Sequence, residues 1–409
     1  MCRGNQWVVS AHSFRIFMVN HEDTCTRCNK YSSKLDISRS FVAIFVIHFL
    51  VSINCRTFTT TMYANMKNNH IQLPAEWARQ SAIQLTWPHK NTDWAYMLDE
   101  VEACFVNIAR AIADRQLLLI VSPEPEAVRR RIASEVNMTN VRFVECATND
   151  TWARDHGGIT VMIGGEPVVY DFAFNGWGLK FAACYDNLIT SHCYKAGVLK
   201  ARYQNRLNFI IEGGSIESDG CGTMLTTSEC LLSPNRNGEW GRNHIEEYLK
   251  EAFGLQQVLW LDYGYLAGDD TDSHIDTLAR LAPNNTILYV SCNDADDEHY
   301  EQLKAMESQL RTFRTLQGEP YRLLPLPMAA AAYDEDNDRL PATYANFLIL
   351  NDAVLYPTYG HPALDKAAGE VIAEAFPGYE IIGIDCCALI RQHGSLHCVT
   401  MQYPEGVIE

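Results

Sequence analysis

The chain has 409 residues, 47% hydrophobic and 20% charged, the composition of a folded globular protein with ample core rather than a disordered one. Its formal net charge of −17 disfavours nucleic acid and anionic membrane surfaces as partners and favours small cations. The 14 cysteines have no regular spacing, and a chain of this size needs no disulfide framework, so they read as the reduced thiols of a cytoplasmic protein.

Residues 1–65 do not match the rest. Through Met62, seven Lys/Arg face three Asp/Glu, a balance opposite in sign to that of the whole chain. The apolar run Phe41-Val42-Ala43-Ile44-Phe45-Val46-Ile47-His48-Phe49-Leu50-Val51 is shorter than the ~20 residues a membrane helix needs. It has the length of a signal-peptide core and follows Arg39, but Ser52-Ile53-Asn54-Cys55 behind it is a poor cleavage site. The favoured reading is an extension upstream of a natural start at Met62 or Met66, with export the minor alternative. Cys25-Thr26-Arg27-Cys28 is a lone CxxC without a second pair, a weak zinc half-site.

From Leu73 onward, short apolar runs alternate with amphipathic segments. Thr92-Asp93 is expected to cap a helix carrying Trp94, Met97, Leu98, Val101, Phe105, Ile108 and Ile112 at three-four spacing. Strands are expected at 117–121 and 141–144, with a helix over 124–135 between them. Residues 159–163 and 167–172 flank Gly164-Gly165 as a hairpin. Helices at 242–253, 297–313 and 363–376 are each followed by a strand, at 258–261, 321–326 and 379–384. Strand pairs precede them, 209–211 with 223–225 and 347–349 with 354–356.

The unit strand, strand, helix, strand thus recurs four or five times, which points to an α/β toroid or propeller rather than an open doubly wound sheet. Neither a GxGxxG nor a Walker loop is present, so nucleotide binding has no support. No Pro/Ser-rich linker divides the rest, and residues 66–409 read as a single domain.

Several polar stretches fall where loops or strand ends are expected. Near the C-terminus, Gly394-Ser395-Leu396-His397-Cys398 reads as a turn feeding a strand, from whose edge Cys398 should project. Taken alone, such a cysteine is more often a small core hydrophobe; as thiolate it is a nucleophile. Others are Asn149-Asp150-Thr151-Trp152-Ala153-Arg154-Asp155-His156, Ile211-Glu212-Gly213-Gly214 and Gly268-Asp269-Asp270-Thr271-Asp272-Ser273-His274-Ile275-Asp276. On an extended strand His274 and Asp276 would share a face, and nearby carboxylates would raise the histidine's pKa. A solvated acidic loop, or an Asp/His metal site serving a metal-dependent hydrolase, also fits that segment. Taken together, a thiol, an imidazole and paired carboxylates suit a guanidinium, which carboxylates grip through forked hydrogen bonds. A peptide bond would need oxyanion donors instead.

Over roughly residues 73–404 the chain resembles the agmatine deiminase family, within the guanidine-modifying superfamily that also holds arginine and peptidylarginine deiminases. The resemblance rests on Leu73-Pro74-Ala75-Glu76-Trp77, Leu85-Thr86-Trp87-Pro88-His89, Thr151-Trp152-Ala153-Arg154-Asp155, Phe174-Asn175-Gly176-Trp177-Gly178, Glu212-Gly213-Gly214, Asp270-Thr271-Asp272-Ser273-His274-Ile275-Asp276, Pro341-Ala342-Thr343-Tyr344-Ala345-Asn346-Phe347 and His397-Cys398. It implies a five-bladed pseudosymmetric α/β propeller (pentein) of ββαβ-type units, hydrolysing agmatine to N-carbamoylputrescine and ammonia without metal or organic cofactor. By the same resemblance Cys398 is the nucleophile and His274 the general acid and then base. Asp155 and Asp276 grip the guanidinium, Glu212 orients His274 or the substrate, and Trp87 and Trp177 line the pocket. The family often has Asp-Gly-His where this chain has Asp272-Ser273-His274. A peptidylarginine deiminase is the alternative, and a homo-oligomer is left open.

Overall fold

Five apolar runs become the middle strands of five sheets in the computed structural model, which describes residues 70–409. They are Gln80–Thr86, Glu166–Ala173, Thr223–Thr227, Thr286–Ser291 and Ala353–Thr358. Each pairs antiparallel with a strand on one side and parallel with a strand on the other. A parallel neighbour cannot be reached by a tight turn, so a helix intervenes each time. The five helices are Leu98–Ala113, Ile189–Lys195, Arg242–Phe253, Tyr300–Leu310 and Pro362–Ala375. Their apolar stripes cover the sheets; Val101, Phe105, Ile108 and Ile112 of the first are fully buried.

The antiparallel partners, in the same order, are Thr400–Pro404, Ile159–Ile163, Ile216–Ser218, Ala279–Ala282 and Leu348–Ile349. The α/β unit read in the sequence therefore occurs five times. One copy is split, because its antiparallel strand comes from residues 400–404 and pairs with Gln80–Thr86 across the length of the chain. A two-stranded ribbon, Ala332–Tyr333 with Arg339–Leu340, stands apart from the five.

Three local expectations change. The residue run 209–211 does not pair with 223–225: Arg202–Ile210 is the parallel partner of Glu166–Ala173, and Ile216–Ser218 pairs with Thr223–Thr227. Thr92 does not cap a helix with its side chain; its hydroxyl turns back to the carbonyl of His89 at 2.7 Å, and a 3-10 turn Asp93–Met97 precedes the helix. Cys398 lies in the turn before strand Thr400–Pro404, not on the strand.

All described residues belong to one compact unit. The expected boundary at 65/66, the apolar run 41–51 and the CxxC at 25–28 lie outside the described residues. Among the described residues, no helix is long and apolar enough to cross a membrane, and the ten cysteines are free.

Candidate active site

The turn before each antiparallel strand delivers one polar group or pair. Asp155 sits in Ala153–His156, ahead of Ile159–Ile163. Glu212 precedes the turn Gly213–Ser215, ahead of Ile216–Ser218. His274 caps the single helical turn Ile275–Leu278 that carries Asp276, ahead of Ala279–Ala282. Asn346 precedes Leu348–Ile349, and Cys398 precedes Thr400–Pro404. The expectation that His274 and Asp276 lie along an extended strand is thus corrected: a helical turn carries Asp276. Four residues of helix leave no periodic signal in a sequence.

Cys398 is buried, with Sγ 3.2 Å from Asn346 Nδ2 and 3.9 Å from Asp276 Oδ2. Asn346 Oδ1 accepts from the backbone amides of His397 at 2.9 Å and Cys398 at 3.3 Å, so one amide group clamps the turn and faces the sulfur. Burial pushes the Cys398 thiol well above its ordinary range, and the carboxylates of Asp276 and Asp155 push the same way. Both causes favour the neutral thiol over the thiolate.

The two aspartates are not equivalent. Asp155 has both oxygens engaged, Oδ2 by Trp177 Nε1 at 3.0 Å and Oδ1 by the Gly214 amide at 3.1 Å. Burial, with Asp276 and Glu212 nearby, pushes its carboxyl well above the usual range. Burial also works against Asp276, but the hydrogen bond from His397 Nδ1 at 2.7 Å helps to hold it below that range. Its other oxygen, Oδ1, is buried without a partner. A bare buried carboxylate oxygen is costly unless something cationic fills the space before it.

His274 has Nδ1 3.6 Å from Asp155 Oδ1 and Nε2 with no hydrogen-bond partner. The expectation of a raised pKa is overturned: burial brings the ring down to about 3, outweighing the opposing pull of Asp276. The resting imidazole is neutral. Gly214 makes the close packing here available, since a Cβ on it would stand 2.6 Å from His274 Nδ1 and 2.8 Å from Asp155 Oδ1.

Glu212 is fully buried and bound through both oxygens by Arg236 Nε, at 2.9 and 3.0 Å. The same guanidinium reaches Asp272 Oδ2 at 2.5 Å and the Thr271 carbonyl at 2.9 Å. Glu212 thus reaches the His274 loop through Arg236, a residue that no motif reading had singled out. Asp272 and Ser273 both adopt left-handed backbone, at φ 63° and 59°, a conformation in which the glycine of the common Asp-Gly-His pattern would be relaxed.

A cavity of about 170 Å³ opens onto Cys398 and Asp155, walled by Trp152, Trp177, Phe181 and Thr277. Asp93, Asp150, Asp269 and Asp270 also line it. Trp177 lies where the sequence reading put it. Trp87 does not: it is buried beneath helix Leu98–Ala113, edge-on to Phe105, with Nε1 donating to Glu102 at 3.0 Å. The aromatic wall on that side is Trp152, inside the same motif as Asp155, and its adjacency to the acid was a usable signal.

Among the described residues, two donor groups come close enough to share an ion, Glu212 with Cys230 and His274, and Glu76 with Glu217 and His397. In each an arginine already occupies the carboxylates, Arg236 in the first and Arg280 in the second. An incoming metal ion would meet a fixed positive charge. The acidic loop is likewise spent: Asp272 binds Arg236 and Lys180, and Asp269 accepts from Thr271 and Ser273.

Comparison with known proteins shows the family to which the chain belongs. Residues 72–404 match the family profile of the Porphyromonas-type peptidyl-arginine deiminases. A solved chain from Porphyromonas gingivalis, provisionally named an arginine deiminase, is 54% identical with a TM-score of 0.78, covering 83% of this chain and all of that one. The agmatine deiminase of C. jejuni, solved with substrate bound, is 38% identical with a TM-score of 0.77, covering 82% of this chain and 97% of that one. The agmatine deiminase of Pseudomonas putida is 30% identical over 369 residues, 85% of this chain and 99% of that relative. The chain belongs to the Porphyromonas-type peptidyl-arginine deiminase family, with agmatine deiminases among its relatives.

Proposed function

We propose that the protein is an agmatine deiminase, hydrolysing agmatine to N-carbamoylputrescine and ammonia through an amidino-Cys398 intermediate. The observation that carries this reading is the pair of buried carboxylates about the Cys398 thiol: Asp276, whose Oδ2 lies 3.9 Å from Sγ and whose Oδ1 has no partner, and Asp155, which lines the same cavity as Cys398. Carboxylates facing one space offer acceptors to a planar cation and nothing to an oxyanion.

In this reading Asp155 and Asp276 grip the guanidinium nitrogens and hold its carbon before Sγ. The arriving cation reverses the electrostatics that keep the sulfur protonated. Sulfur bonds to carbon, one C–N bond breaks, and the thiol proton passes through His274 to the departing nitrogen as ammonia leaves. The imidazolium is transient, in keeping with a ring that burial holds neutral at rest. His274 then takes a proton from water as its oxygen attacks the amidino carbon. The C–S bond breaks and the ureido product forms, with Cys398 restored. Glu212, through Arg236, keeps the His274 loop in place.

Agmatine is preferred over peptidyl-arginine because the cavity also carries Asp93 and Asp270. A second positive charge at the far end of the substrate meets carboxylates there; a peptide backbone brings no charge to them. We further propose that residues 66–409 form one catalytic domain whose five units close into a five-bladed α/β propeller around the site. Free cysteines in the described residues support a reducing, cytoplasmic setting.

The test is incubation of the purified protein with agmatine, arginine and a blocked arginyl peptide, measuring ureido product and ammonia. Agmatine should be turned over far faster than the other two. Preference for the peptide would move the assignment to a peptidylarginine deiminase.

A further inference from the structure

His397 takes no part in the chemistry above, yet it is among the most constrained side chains in the site. Its ring is buried, with Nδ1 2.7 Å from Asp276 Oδ2 and Nε2 2.8 Å from Glu76 Oε2. Its backbone amide is held by Asn346, and its carbonyl accepts from the Thr400 amide and hydroxyl, at 3.0 and 2.9 Å. Glu76 is fixed from behind by the Ile349 amide at 2.8 Å and by Arg280 Nη2 at 2.6 Å. Arg280 in turn binds Glu217 at 2.5 Å and lies over the Phe347 ring, 4.4 Å from its centroid.

Nδ1 faces the Asp276 carboxylate and is placed to donate to it, while Nε2 lies between Glu76 Oε2 and Arg280 Nη2, the latter at 3.2 Å. The consequence falls on Asp276, one of whose oxygens is committed to His397 while the other is bare.

We propose that His397 is a positioning residue, which fixes the rotation of Asp276 so that Oδ1 faces the guanidinium while Glu76 and Arg280 lock the ring. The proposal rests on the deiminase reading of the same site. Adjacency to Cys398 then has a physical reason: one turn places the nucleophile and the aligner of the substrate-binding carboxylate together.

The test compares His397→Asn with His397→Gln. An asparagine amide nitrogen stands near the place of Nδ1 and can still donate to Asp276; that of glutamine stands near Nε2 and cannot. Agmatine affinity is measured calorimetrically in a Cys398→Ser background, and KM and kcat with Cys398 intact, after thermal melts establish folding. His397→Gln should weaken agmatine binding about tenfold or more and His397→Asn by about threefold at most, and the glutamine effect should vanish in an Asp276→Ala background. If either variant fails to fold, Glu76→Gln serves: it should weaken binding only while Asp276 is present. Equal losses for Asn and Gln in a protein whose parent is active would overturn the positioning role alone, as would a loss that persists without Asp276. A wild-type protein that neither binds nor turns over agmatine would overturn the deiminase reading and this one with it.

Discussion

Cys398 Sγ stands 3.9 Å from Asp276 Oδ2, so the proposed nucleophile faces a carboxylate rather than a cation. A cysteine activated in advance keeps positive charge nearby. Here burial and two aspartates oppose the thiolate, and activation must come with the substrate. A haloacetamidine, which is cationic, should therefore alkylate Cys398 about 100-fold faster near neutral pH than the neutral haloacetamide, each rate normalised to a free thiol. Mass spectrometry of the Cys398 peptide reads the result. Equal normalised rates would mean that the thiolate is already formed in the free protein.

Gly214 is expected to tolerate no side chain. The Cβ of alanine would press on His274 Nδ1 and Asp155 Oδ1, and the site cannot yield without losing alignment. Gly214→Ala should lower kcat/KM by about 100-fold, the scale of a misplacement of about 1 Å. Gly241→Ala is the control, since a Cβ there meets nothing within 4 Å, and its kcat/KM should match that of the wild type.

The cavity carboxylates should discriminate by charge at the far end of the substrate. Asp270→Asn is expected to raise KM for agmatine about threefold to tenfold, a modest effect because this side chain is half exposed. KM for propylguanidine, which lacks the second cation, should stay the same. A parallel rise for both would place Asp270 outside the recognition of the ammonium.

Asp186 gives the protein a pH-dependent weakness beneath the Asn149-Asp150 segment. Its carboxylate accepts from the amides of Asn149 at 2.6 Å and Asp150 at 3.1 Å, but burial pushes it from 3.8 up to about 7. A carboxyl raised by folding lends stability that is present below its unfolded pKa and lost as the pH climbs through the folded value. The wild type should therefore lose Tm relative to Asp186→Asn between about pH 5 and about pH 8. A Tm difference that stays flat over that range would contradict the shift.

Much of this architecture was legible in the chain. The apolar run 117–121 and the Gly164-Gly165 hairpin gave local signals, and both elements formed there. What failed was non-local. Residues 209–211 are as apolar as a strand pair requires, but pairing is decided by neighbours distant in sequence, and the chain places Ile216–Ser218 beside Thr223–Thr227 instead. The site divides in the same way. Asp155, Glu212, His274, Asp276 and Cys398 could be gathered because each stands in a motif that the resemblance carries. Asn346, Arg236 and His397 could not, because their roles consist of whom they touch. Trp87 misled because a tryptophan serves a core as readily as a pocket, and only the position of helix Leu98–Ala113 decides which.

The most direct test of covalent deimination is to mix the enzyme with agmatine, quench in acid within a turnover, and weigh the Cys398 peptide. The expected result is a mass gain equal to agmatine less ammonia, confined to that peptide and absent from the Cys398→Ser protein, which should give no product. Full turnover by Cys398→Ser, or an adduct on a different residue, would contradict it.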